Sequence, residues 1–167
     1  MKKASNSQNR HIWAAILMLL AATGIVVITY MRLYPVEAYI GPLQVYHWAG
    51  VSGLSIIGVF VPIYSVLKRH YPKTRRSLFD IHMYVNLFAF ELVSLHFGIL
   101  GQIKPQTDTG TGFLLYSVIA LLVFTGILRR FQFARSKMQI WRFLHVSLTL
   151  SFYIIGINHI LGALEIL

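Results

Sequence analysis

Apolar residues run almost unbroken through five stretches of the chain, at about residues 12–31, 43–67, 81–101, 112–128 and 143–163, with polar and basic segments between them. An α-helix needs roughly 20 apolar residues to cross ~30 Å of hydrocarbon, and most of these stretches reach that length. The pattern predicts an all-α, integral membrane helical bundle of five transmembrane helices. They form a single domain over residues 11–167, preceded by a polar, basic and flexible tail at residues 1–10. The first stretch reads as a retained helix and not a cleaved leader, because Ala21-Ala22-Thr23-Gly24 falls mid-run and more apolar residues follow it. Loops are short, with Pro35 and Pro42 bracketing one turn and residues 104–110 forming another.

Composition agrees with a bilayer as solvent. The chain is 56% hydrophobic and 12% charged, with a mean hydropathy of +0.64, more apolar surface than a soluble domain of this size could bury. Charge then sets an expected orientation. Lys2, Lys3 and Arg10 precede the first span; Lys68, Arg69, Lys73, Arg75 and Arg76 join the second to the third; Arg129, Arg130, Arg135, Lys137 and Arg142 join the fourth to the fifth. Only Arg32 and Lys104 of the fifteen Lys and Arg residues fall on the other side. The positive-inside rule therefore predicts a cytoplasmic N-terminus and an external C-terminus in a multi-pass protein of a prokaryotic cytoplasmic membrane. The net charge of +10 is accounted for by this topology and by anionic lipid, so nucleic acid is not an expected partner.

Two pairs of histidines stand inside the apolar stretches: His82 with His96, and His145 with His159, each pair fourteen residues apart. Fourteen residues of helix span ~21 Å and fall about 40° short of four full turns, so each pair lies on one face. The expected topology makes the third and fifth spans parallel. His82 then comes level with His145 near the cytoplasmic surface, and His96 with His159 near the external one. Two stacked bis-histidine sites follow, an arrangement suited to two haems held one above the other. A lone intramembrane histidine often does no more than hydrogen-bond across a helix interface, but four at duplicated spacing and matched depth mark a function, since polar groups in lipid are costly. Zinc sites favour cysteine and carboxylate clustered at one depth. The chain has no cysteine, which excludes iron–sulfur clusters, thiolate-ligated haem, covalent haem attachment and disulfides.

The stretch from Arg75 through Phe79-Asp80-Ile81-His82, the helix running to Leu95-His96, and Trp141-Arg142-Phe143-Leu144-His145 through Asn158-His159 resemble the ferric reductase-like transmembrane domain. That superfamily includes ferric reductases, NADPH oxidases and the haem subunit of a bacterial methionine sulfoxide reductase system. The resemblance covers about residues 43–163 and rests on the histidine spacing and its placement on the third and fifth spans. It implies that His82 and His145 ligate an inner b-type haem, and His96 and His159 an outer one. Members usually carry a sixth span leading into a flavin and nicotinamide domain. Here the sequence is expected to end outside after the fifth, so partner redox subunits are expected to supply donor and acceptor. The chain is also similar to the cytochrome b subunit of quinol-oxidising bc complexes, where glycines on neighbouring helices make room for porphyrins.

Single residues leave paired readings open. Gly112 and Gly126, again fourteen apart, and Gly50 and Gly53 offer either haem clearance or close helix packing. Arg142, three residues before His145, is either a partner for an inner propionate or a positive-inside anchor; Arg32 and Lys104 are candidates for outer propionates. His47 is read as a hydrogen-bonding residue or a quinone-site contact, and His11 and His70 as solvated. Glu91, the only acid in mid-span, is about 180° from His82 and is read as a contact with another helix or a proton-handling group. Asn86 and Asn158 are candidates for hydrogen bonds that orient ligands.

Two six-coordinate haems leave no open position for a substrate, so the expected function is one-electron transfer across the bilayer, as the membrane cytochrome subunit of a larger redox complex with no stand-alone active site. The alternatives are a quinone-reactive cytochrome b subunit and a haem-free structural or transport subunit.

Overall fold

The computed structural model describes residues 2–31, 33, 38–103, 109–132 and 135–164. Arg32, Lys104, Pro35 and most of residues 104–110 lie outside them, so the expectations placed there stay with the sequence. Five long helices carry the fold: α1 (Lys2–Tyr30), α2 (Val45–His70), α3 (Arg75–Ile103), α4 (Thr109–Phe131) and α5 (Met138–Ala163). All five are long and apolar enough to cross a bilayer, the spans being Asn9–Tyr30, Val45–His70, Pro72–Gly101, Gly110–Phe131 and Met138–Ala163. Large apolar side chains such as Leu17, Leu20, Val59, Phe124 and Leu150 face outward, which suits a solvent of lipid tails.

Two local departures from the sequence expectation have simple causes. Residues 2–10 continue α1 and do not form a separate flexible tail. Neither proline nor glycine occurs before Gly24, and a helix already nucleated by the apolar segment propagates at little cost. A two-residue hairpin, β1 (Tyr39–Ile40) with β2 (Leu43–Gln44), precedes α2. Gly41 takes φ 63° at its first loop position, the place where such tight hairpins favour glycine. Trp48 anchors the hairpin by donating its indole N–H to the Ile40 carbonyl at 2.9 Å.

Side-chain contacts give the directions of the helices. Tyr64 meets His82 while His96 meets the backbone of Tyr46, so α2 runs antiparallel to α3. His11 meets Tyr84 and Thr29 lies against Gly98, so α1 is parallel to α3. Asp80 meets Arg130 and Ser94 meets Tyr116, which makes α4 antiparallel to α3. Helix α5 packs chiefly on α4 and runs back along it.

Helix α3 is the centre of the bundle, packing against α1, α2 and α4. Its Leu87, Ala89 and Val93 are buried with Ile57 of α2, Ile119 of α4 and Phe152 of α5. Close approach depends on glycine at two places. A Cβ at Gly53 would come within 2.8 Å of the Ala89 carbonyl oxygen, and one at Gly98 would run into the Thr29 hydroxyl; small residues of this kind let membrane helices touch backbone to backbone. Pro72 opens a 3-10 turn (Pro72–Thr74) between α2 and α3, and its missing N–H helps to stop α2 at His70.

Candidate functional site

Helices α3 and α5 are parallel but not in extensive contact, and the space between their basic-loop ends is a cavity of about 1170 Å³. His82 of α3 and His145 of α5 both line it, with Arg142, Asn86 and Gly126. The two rings lie within electrostatic range of each other. At the opposite end, His96 lies within electrostatic range of His159. The structure thus brings together the pairs that the fourteen-residue spacing proposed. His47 stands beside the second pair, its ring centroid 5.7 Å from that of His96 and 4.3 Å from that of Tyr46.

Each of the four imidazoles has a neighbour at Nδ1. The His96 Nδ1–H donates to the Tyr46 carbonyl at 2.9 Å. A carbonyl only accepts, so the proton of the neutral ring is on Nδ1 and Nε2 keeps its lone pair. Thr125 lies 2.9 Å from His145 Nδ1. Its own hydroxyl hydrogen is directed back to Leu121 O at 2.8 Å or Leu122 O at 3.1 Å, so its oxygen accepts from His145 and fixes the same tautomer. Thr111 Oγ1 lies 3.3 Å from His159 Nδ1. His82 differs. The Asn86 amide donates to the His82 carbonyl at 2.6 Å and faces its Nδ1 at 3.1 Å, which makes that nitrogen the acceptor and places the proton on Nε2. An amide turned with its oxygen to the ring would reverse this assignment, at the cost of the bond its nitrogen gives to the His82 carbonyl.

Helix α4 repeats the device that holds α5. Thr111-Gly112 faces His159 and Thr125-Gly126 faces His145, both dipeptides and both histidines being fourteen residues apart. A Cβ at Gly112 would meet His159 Cε1 at 3.4 Å, and one at Gly126 would meet His145 Cε1 at 3.5 Å. These glycines therefore face imidazole rings with room for ordinary contact, a placement neither of the two sequence readings contained. Gly50 faces His96 more stringently, since a Cβ there would come within 2.6 Å of the ring. His82 is held by α2 in another way, stacked on Tyr64 at 4.1 Å between centroids, with Phe60 beyond at 6.2 Å.

Other residues fall as follows. Arg142 lines the cavity but is exposed, whereas Lys68 and Arg129 are half-buried and lie within electrostatic range of both His82 and His145. Sequence spacing did not single out those two, because they sit on α2 and α4. Asn158 is exposed, and Thr111 takes the place beside His159 that was expected of it. His70 is exposed as expected, but His11 is half-buried and its Nδ1 lies 2.7 Å from the Tyr84 hydroxyl. Glu91 is half-buried, one heptad from Tyr84 and one from Gly98, on the α3 stripe that packs against α1. Among the described residues, no three His, Cys, Asp or Glu side chains converge as a metal-binding group. The Trp141 indole N–H, one turn before His145, is buried without a hydrogen-bond partner. Such a group costs about 1–3 kcal/mol unless an acceptor reaches it.

Compared with protein-family models, with curated proteins and with solved structures, the chain finds no match. The functional reading therefore rests on the residues themselves.

Proposed function

We propose that the chain is the membrane cytochrome subunit of a redox complex, conducting electrons across a bilayer through two b-type haems, the inner held by His82 and His145 and the outer by His96 and His159. The observation that carries this reading is the acceptor at Nδ1 of His96 and of His145, one in each tier, with the Thr111 hydroxyl beside Nδ1 of His159. Histidines that ligate a metal through Nε2 characteristically have the other nitrogen engaged, which sets ring orientation and tautomer.

The residues of the inner tier fit the group. The inner cavity, at ~1170 Å³, is slightly above the roughly 300–1000 Å³ usual for cofactor sites. Its wall is apolar at depth, with Ile57, Leu87, Ile119 and Phe152, and cationic at the mouth, which suits a flat apolar ring bearing two carboxylates. When bound, a bis-histidine haem supplies one-electron transfer with no open coordination position. The chain's own part is to orient. Thr125 and the Tyr46 carbonyl hold their histidines in the ligating tautomer. Asn86 must turn its amide for His82 to join them. Lys68, Arg129 and Arg142 offer charge to the propionates. The positive-inside rule, applied to the basic loops, supports an inner tier on the cytoplasmic side, with donor and acceptor in partner subunits.

The test is to purify the chain in detergent, record oxidised and dithionite-reduced spectra, and count haem by the pyridine haemochrome assay. Two b-type haems per chain with sharp low-spin reduced bands are expected. Well-folded protein that takes up no haem sinks the reading and leaves a structural or transport subunit.

One observation favours a quinone-reactive variant of the same reading. A shallow apolar groove of about 780 Å³, lined by Met18, Ile56, Phe60, Tyr84 and Phe88, opens between α1, α2 and α3, and its Phe60 belongs to the stack on His82. His47 and Glu91 do not line it. Quinol-dependent haem reduction that Phe60→Ala slows would select this variant.

A further inference from the structure

The mouth of the inner cavity collects cations beyond what two propionates could use. Lys68 and Arg69 of α2, Lys73 of the following turn, Arg75 and Arg76 of α3, Arg129 of α4 and Arg142 of α5 all line it, and no carboxylate does. Among the described residues, Asp80 is the only acid at this end of the bundle, and it is already engaged, accepting from Arg130 Nε at 2.7 Å outside the cavity wall. Like charges crowded around one opening repel, although water and salt screen the five exposed ones. Lys68 and Arg129 are in addition half-buried, drawn toward hydrocarbon where an uncompensated charge is costly. Simple positive-inside topology requires cations in these loops, but not that four helices and a turn bring seven of them to one concavity.

We propose that this mouth is a binding site for a phosphate group, carried by an anionic phospholipid headgroup or by a soluble phosphorylated carrier. Five of the seven cations are arginines, whose planar forks bind phosphate oxygens two at a time, whereas a carboxylate saturates with one fork. The Tyr64 hydroxyl and Ser65, also in the wall, add neutral donors. The inference goes beyond haem binding, since the cations stand in the wall whether or not a porphyrin lies deeper in the cavity. Occupancy would neutralise the repulsion and close the cytoplasmic side of the inner tier, or bring a phosphorylated electron carrier to its edge.

The full chain, purified in a neutral detergent with its haem content recorded, is titrated with inorganic pyrophosphate by calorimetry, and co-purified phosphatidylglycerol is counted by native mass spectrometry. Saturable binding of one anion per chain is expected. It should weaken by roughly tenfold, about one charge-assisted contact, in Arg75→Gln/Arg76→Gln. The pair Arg10→Gln/Lys137→Gln removes the same charge from exposed positions outside the cavity wall and should bind like the parent. Should the first pair fold poorly, Arg69→Gln/Lys73→Gln tests the same mouth from the α2 side. Phosphatidylglycerol displaced by pyrophosphate supports a site open to soluble carriers; phosphatidylglycerol retained against pyrophosphate supports a lipid headgroup. Unsaturable binding of both probes, or equal weakening by the cavity and control pairs, overturns the proposal. Haem content on the same samples separates that failure from failure of the cytochrome reading.

Discussion

The Tyr153 hydroxyl of α5 donates to the Gly58 carbonyl of α2 across 2.9 Å, and that carbonyl is free because the residue four positions on is Pro62. Proline has no N–H to return to the carbonyl of residue i−4, so the helix leaves an acceptor in the middle of the bundle. Tyr153 lies between His145 and His159 along α5, and its bond ties a helix that otherwise packs mainly on α4 to the α2 side. The hydrogen bond that Pro62 leaves unmade in one helix thus helps to hold the helix that carries two of the four histidines.

This arrangement predicts a double-mutant cycle. Tyr153→Phe should cost about 1 kcal/mol, the scale of an interhelical hydrogen bond in membrane proteins. In a Pro62→Ala background the new N–H can satisfy Gly58 itself, and Tyr153→Phe should then cost close to nothing. Denaturation midpoints of the four proteins in one detergent measure the coupling. Equal costs in both backgrounds would show that the hydroxyl matters for some other reason.

If His145 ligates the inner haem as proposed, Thr125 predicts a change at that site without a change in the fold. Thr125→Val preserves shape but removes the oxygen that His145 Nδ1 donates to, and loss of such an outer partner typically costs 10- to 100-fold in metal affinity. Faster haem loss from the inner tier and a shifted midpoint potential are expected, with Thr125→Ser close to the parent. Thr111→Val should act more weakly on the outer tier, because its contact with His159 is 3.3 Å against 2.9 Å. Stopped-flow haem transfer to an apo-globin acceptor resolves the two. Identical release from Thr125→Val and the parent would remove the threonine from the site.

Gly50 is the glycine with least tolerance. A methyl group there would press on His96 Cγ, Nδ1 and Cδ2 at 2.6–2.9 Å, and the ring cannot retreat without giving up its bond to the Tyr46 carbonyl. Gly50→Ala should destabilise by about 1–3 kcal/mol through overpacking and empty or weaken the outer tier while sparing the inner. Gly126→Ala, where the contact would be an ordinary 3.5 Å, should leave haem content near that of the parent. Haemochrome counts on the two variants decide this.

How far the sequence reached follows from which relationships are local. Span number and approximate limits depend only on runs of apolar residues within one helix, and the helices found over Val45–His70 or Met138–Ala163 extend those runs by a few residues into their basic flanks. Pairing of His82 with His145 was legible because fourteen residues is nearly a whole number of turns, a property of each helix alone. The contacts that orient the imidazoles depend on the register between helices. Nothing local says that Thr111, and not Asn158, meets His159, or that Tyr64 stacks on His82. The Thr-Gly dipeptides at 111 and 125 did hold a signal, a repeat with the same fourteen-residue interval as the histidines they face, visible once α4 and α5 are taken as antiparallel. His11 was misread because a basic neighbourhood suggests solvent, whereas α1 continues past it as helix and turns it toward Tyr84.

The two-tier reading makes its sharpest prediction in pairs of substitutions. If His82 and His145 share one haem, either single alanine variant should lose that haem, and the double variant should lose nothing more. His96 and His159 should behave likewise for the other. Combining one residue from each tier, as in His82→Ala/His159→Ala, should lose both. The outcome separates tier from helix: were the rings to act as partners along α3 and along α5, the pair His82 and His96 would be redundant instead. His47 sharpens the test further, since its ring is near enough to His96 to replace a missing partner at that depth. His159→Ala that keeps two haems, and loses one on addition of His47→Ala, would show a substitute ligand at the outer tier. Retention of both haems in His82→Ala/His145→Ala would refute the inner assignment, and with it the link between the cavity and the histidines that line it. Haem per chain and low-temperature electron paramagnetic resonance on this set, in protein shown to be folded by its helical circular dichroism, distinguish these outcomes without any partner protein.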